Sequence, residues 1–160
     1  MKKIFNWKLG WALVLFAILD IFCTGAGMGV PFFNILLGLP VGVYLALRLS
    51  DKVSDTRSLM GKLLLWSAIT SAFTVLLMAI IWLPAILMLF DPTADLANFG
   101  IPMILFEPLA SFIGWLVLMI LISPFLQMLM TLFGAQVTLW LAKPKPAAPV
   151  QTSLPDPSHG

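Results

Sequence analysis

Basic side chains are missing from every long apolar run of this chain. Charged residues make up only 10% of its 160 residues, while 61% are hydrophobic. Soluble domains are about a quarter charged, and a chain of this size buries only about 70% of the surface that its unfolded form exposes. The apolar excess, with a mean hydropathy of +1.04, therefore calls for lipid. Cysteine is just as scarce. The single Cys23 excludes an intrachain disulfide and a multi-cysteine metal site. The one histidine, His159, stands in the tail, far from other ligand types. No metal and no cofactor are expected. A nucleophile with a base, a membrane histidine and an Arg/Lys phosphate clamp are all lacking, so the sequence points away from an enzyme. A net charge of +2, thinly spread, lacks the basic footprint of a nucleic-acid binder.

What is present is a set of apolar stretches cut to membrane length. A hydrocarbon core of about 30 Å needs about 20 helical residues. The expected fold is an all-α integral membrane protein, a four-transmembrane-helix bundle over 1–142. Its spans fall at 9–28, 31–49, 63–90 and 103–132, with an interfacial helix at 133–142, where Phe133, Val137, Trp140 and Leu141 recur at helical spacing. Gly25, Gly27, Gly29 and Pro31 suit a tight turn between the first two spans. Asp91 and Pro92 end the third span, and Pro108 and Pro124 mark breaks in the fourth. A fifth span would need a turn at Ser123–Pro124, with no polar loop to make it. Residues 143–160 form a proline-rich disordered tail. Pro146 to Pro149 matches a PxxP pattern, which any proline-rich segment produces by chance.

Charge placement sets the orientation. Lys2, Lys3 and Lys8 precede span one, Arg48, Lys52, Arg57 and Lys62 lie between spans two and three, and Lys143 and Lys145 follow the last span. The 91–100 loop has two aspartates and no basic residue. Basic residues stay cytoplasmic, so both termini are expected inside a cell (inner or plasma) membrane. Asp20 inside the first run argues against a cleaved signal peptide and for a retained helix.

Two carboxylates lie within the apolar runs with no basic residue to neutralise them, Asp20 and Glu107. Asp20 falls about 18 Å along the helix from Lys8, slightly beyond the midplane. Asn34 and Glu107 are expected at a similar outer-half level, and Thr24 sits one turn from Asp20 on the same face. An ionised carboxylate at mid-helix costs about 2.5–3.5 kcal/mol on insertion scales. Protonation or a bound cation relieves that cost, so Asp20, Glu107, Asn34 and Thr24 are the candidate ion- or proton-binding residues; the plainer alternative is a hydrogen-bonded joint between helices. Small residues let helices approach: Gly38, Gly42 and Ala46 form one stripe, and Ala17 and Gly27 belong to another with Asp20 and Thr24. Gln127, Ser123 and Thr131 read as packing groups on the last span.

The sequence thus favours a non-catalytic accessory, assembly or scaffold component. Its partners are the lipid bilayer and either a second copy of itself or another membrane protein. The alternative is a proton- or cation-coupled transporter or channel, oligomeric, with its site at Asp20.

Overall fold

The computed structural model describes residues 9–27, 30–52, 55–98, 100 and 105–142. The basic N-terminal segment, the residues expected to open the fourth span at 103–104, and the tail with Lys143 and Lys145 lie outside the described residues. Among the described residues the chain is helical, with no strand. Helix α1 is Leu9–Ala26, α2 is Phe32–Ser50, α3 is Thr56–Ile81 and α4 is the short Leu83–Met88. A 3-10 turn, Leu96–Asn98, precedes α5, Pro108–Val117, and α6, Ser123–Leu141. Three helical segments are long and apolar enough to cross a membrane: Phe32–Ser50, Thr56–Ile81 and the 34-residue Pro108–Leu141. Helix α1 supplies a shorter apolar segment, Gly10–Ala26.

Local chemistry explains where the helices start. Asp55 adopts an extended conformation and its carboxylate accepts the Ser58 amide at 2.8 Å, which caps α3. Helix α3 therefore begins before Lys62, earlier than the apolar run that suggested a start at 63. Glu107 does the same for α5, accepting the Ala110 amide at 2.6 Å, with Pro108 at the first helical position. The last helical segment therefore begins at 108 rather than 103.

From there it runs unbroken to Leu141, with no turn at Ser123–Pro124. Proline is accommodated there without a break because one π turn, Leu118–Ile122, precedes it. Proline has no N–H and crowds the preceding turn; a wide turn makes room for it. The Ser123 hydroxyl donates to the Leu118 carbonyl at 2.7 Å and closes that turn. Residues 133–141 continue the same rod and do not form a separate helix.

The interior is layered. At one end, Leu45, Ala46 and Leu49 of α2 pack with Leu59 and Leu63 of α3 and Ala135 of α6. At the other end, Ala85 of α4 packs with Phe112 and Leu116 of α5. Between them lies a set of buried polar side chains, Asp20, Thr24, Asn34, Thr70, Ser71, Thr74, Gln127 and Thr131. Outward faces are apolar, as at Phe22 (70% exposed) and Leu65 (58% exposed). Polar inside and apolar outside is the arrangement that lipid permits and water does not.

Helices α2 and α6 make the most extensive pairing in the bundle. A Cβ on Gly38 would meet the Gln127 carbonyl, and one on Gly42 the Thr131 carbonyl. Gly134 answers from α6, facing the Leu39 backbone. Ala46 is fully buried below them. The α2 stripe is thus a backbone-to-backbone contact, and Gly134 is the partner residue the sequence reading did not name. Ala17 is half-buried, and Gly27 is placed in the turn after α1, where a Cβ would strike the Val30 carbonyl.

Candidate functional site

Asp20 is fully buried, and its carboxylate is bonded by each of the three other long helices. From α2, Asn34 Nδ2 donates to Oδ1 at 2.8 Å. From α6, Gln127 Nε2 donates to the same oxygen at 3.2 Å. From α3, the Thr74 hydroxyl donates to Oδ2 at 2.8 Å. The main chain joins in: Thr24 Oγ1 donates to the Asp20 carbonyl at 2.8 Å and Asn34 Nδ2 reaches that carbonyl at 3.0 Å. Asn34 Nδ2 also lies 2.8 Å from Thr24 Oγ1. Four helices converge on one carboxylate, and every donor is neutral.

The sequence places these groups by simple spacing. Thr24 is one turn beyond Asp20, so both share the inner face of α1. Pro31 opens α2 and Asn34 follows within its first turn. On α3, Ser67, Thr70, Ser71 and Thr74 repeat at three- and four-residue intervals and make one buried stripe. Ser71 Oγ donates to the Pro124 carbonyl at 2.8 Å, which ties that stripe to α6 just before Gln127.

Asp20, Asn34 and Thr24 are therefore brought together. Glu107 is not. It is exposed and occupied as the cap of α5. Gln127, which bonds Asp20, lies twenty residues further along the same rod, about 30 Å at helical rise. The shared outer-half pocket expected for Asp20 and Glu107 does not form, because the last helical segment extends far past the tip of the α1–α2 hairpin. Thr74 was not singled out from the sequence, although it continues the spacing of Ser67 and Ser71. Gln127 was read as packing alone; a long amide in a poly-apolar helix was the available signal.

Two buried amide oxygens beside the carboxylate, Asn34 Oδ1 and Gln127 Oε1, have no donor among the described residues. Among the described residues no group of three His, Cys, Asp or Glu side chains could hold a metal. A cleft of about 240 Å³ opens beside the cluster between α1, α2 and α3. Its walls include Phe16, Leu19, Pro40, Val41, Tyr44 and Thr70, and they do not include Asp20, Asn34, Thr74 or Gln127. The cleft is apolar, and the polar cluster is closed off from it. No protein-family model matches the chain, and no curated protein or solved structure matches it. What the site does has to be argued from its own atoms.

Proposed function

We propose that this chain is a four-span membrane protein with both termini cytoplasmic, acting as a non-catalytic accessory, assembly or scaffold component. The observation that carries this reading is the use made of Asp20. Its carboxylate is enclosed and bonded by α2, α3 and α6 at once, which is what a joint between helices requires. A scaffold also fits the short connections between helices, which leave no room for a soluble active domain.

The four-span reading rests on the shape of the first hairpin together with the charges. Helix α1, at 18 residues, is about 27 Å long. At the hairpin tip α1 stops at Ala26, and residue 30, outside both helices, is exposed. Exposed non-helical backbone is not tolerated in hydrocarbon, so the tip belongs at the far interface, opposite Arg48, Lys52 and Lys62.

A specific observation favours transport as the second reading: the two unpartnered amide oxygens flanking the carboxylate. One experiment separates the readings. The purified protein is placed in liposomes with a pH-reporting dye under an imposed potential, and several cations are tried. The scaffold reading expects no flux from wild type, Asp20→Asn or Glu107→Gln. Flux that disappears in a folded Asp20→Asn protein overturns it in favour of a coupled transporter or channel.

A further inference from the structure

We propose that Asp20 is a reversible proton-binding site inside the bundle, and that Thr74 is the rotor that lets it load and unload without losing a hydrogen bond. This goes beyond the reading above, which asks of Asp20 only that it join helices.

The hydroxyl hydrogen of Thr74 has two acceptors in reach. Thr74 Oγ1 lies 2.8 Å from Asp20 Oδ2 and 3.2 Å from the Thr70 carbonyl oxygen. A hydroxyl carries one hydrogen and can accept as well as donate. With Asp20 ionised, Thr74 donates to Oδ2. When a proton from water forms an O–H bond at Oδ2, that O–H donates to Thr74 Oγ1, and Thr74 turns its own hydrogen to the Thr70 carbonyl. No covalent bond of the protein breaks, and the site goes from one negative charge to none. Asn34 and Gln127 donate to Oδ1 in both states.

A second observation is independent of that geometry. Asn34 and Gln127 are each 1% exposed, and both amide oxygens lack a donor. Buried acceptors left unfilled are costly, and their lone pairs stand beside a carboxylate charge that no cation offsets; a proton on Oδ2 removes that charge.

A metal cation fits less well. The oxygens that would converge on it are the Asp20 carbonyl, Asp20 Oδ1 and Thr24 Oγ1, and Asn34 Nδ2 already occupies their centre. The amide cannot turn over there, because the Asp20 carbonyl only accepts. The surroundings leave the titration to Asp20. On its own helix the titratable neighbour is the Cys23 thiol, three residues further along α1. From α2, α3 and α6 the groups bonded to the carboxylate are the neutral Asn34, Thr74 and Gln127. Arg48 stands at the far end of α2, and Arg57 and Lys62 at the far end of α3.

The test is infrared titration of the full chain in lipid vesicles, with carboxyl-¹³C aspartate to mark the bands. A protonated carboxylic acid has a carbonyl stretch that a carboxylate lacks. The expected result is an acid band that comes and goes with pH in wild type and is absent from Asp20→Asn. Thr74→Ser keeps the rotor and keeps the band in place. Thr74→Val removes it, and shifts both the band's frequency and its midpoint. If Asp20→Asn fails to fold, the two Thr74 variants assign the band by themselves. An aspartate band that does not titrate while the protein stays folded overturns the proposal. So does a band indifferent to Thr74→Val, or one erased when sodium replaces choline, which would make a metal cation the occupant. Neither flux nor its absence in liposomes decides this result, so the two ideas can fail separately.

Discussion

Asp20 and Glu107 look alike in the sequence, each a lone carboxylate in an apolar run, and the structure gives them unrelated work. Asp20 is hydrogen-bonded from three other helices, and Glu107 caps the start of one. Their variants should separate accordingly. Asn34→Leu removes the amide that bonds both the side chain and the main chain of Asp20. Interhelical hydrogen bonds in membranes average about 0.6 kcal/mol and reach about 1.7, so a loss of about 1–2 kcal/mol is expected in reversible unfolding from lipid. A loss under a few tenths would mean that the cluster contributes nothing to cohesion. Glu107→Ala should instead act locally. Removing an N-cap costs about 1 kcal/mol, seen as faster hydrogen exchange at the Ala110 amide, with the Asp20 infrared signature untouched. Asp91 supplies a third residue-scale effect. Its carboxylate accepts the Thr93 hydroxyl at 2.7 Å and the Thr93 amide at 2.9 Å, and these bonds, the hydroxyl first, hold it below the usual carboxylate range. The folded-state value is the lower one, so the turn is fully supported above the ordinary Asp range. That support goes as pH falls through the lowered value. Exchange at the Thr93 amide, corrected for its intrinsic pH dependence, should rise only there.

At the scale of the helix, backbone contact rather than side-chain volume sets the α2–α6 pair. Gly38 and Gly42 lie against carbonyls of α6, and Gly134 lies against Leu39. There is no flexible neighbour to move aside. Gly42→Leu should therefore force the helices apart and disturb the shared hold of Gln127 and Asn34 on Asp20 Oδ1. Overpacking of this kind costs about 1–3 kcal/mol. Gly61, with open space where a Cβ would go, is the control: Gly61→Ala should leave stability unchanged or raise it slightly. If both variants unfold alike, the close crossing is not what holds α2 to α6. The stripe on α2 was legible in the sequence because three small residues four apart share a face. Gly134 was not, because a single glycine in a helix carries no period and acquires meaning only from what lies across from it.

For the whole molecule, the unequal reach of its two halves stands out. The hairpin of α1 and α2 ends a short distance above Asp20, while the continuous rod of α6, the π turn and α5 extends for about 28 Å from Gln127 to Pro108. Up there, Ala85 of α4 packs with Phe112 and Leu116 of α5. Side chains such as Leu87 (58% exposed) and Phe90 (79% exposed) face outward. The topology proposed above makes a direct prediction. In a Cys23→Ser background, a cysteine at Lys52 should react with a membrane-impermeant reagent only from the cytoplasmic side, and one at Ala94 only from the opposite side. Labelling of both from one side would remove the four-span reading. The sequence by itself determined that this chain is helical and roughly where its long, membrane-length apolar helices lie, because hydropathy and helical length are local sums along the chain. The sequence also identified Asp20 and Glu107 as the costly residues, and Asp20 is the one the bundle buries. Only the tertiary structure decided who shares that cost. Thr74 and Gln127 reach Asp20 through helix offsets fixed by the glycine crossing and by the π turn before Pro124. Glu107 is carried a bilayer's thickness away along its own helix. Those offsets depend on how rods pack side by side, which the residues of any single rod do not encode.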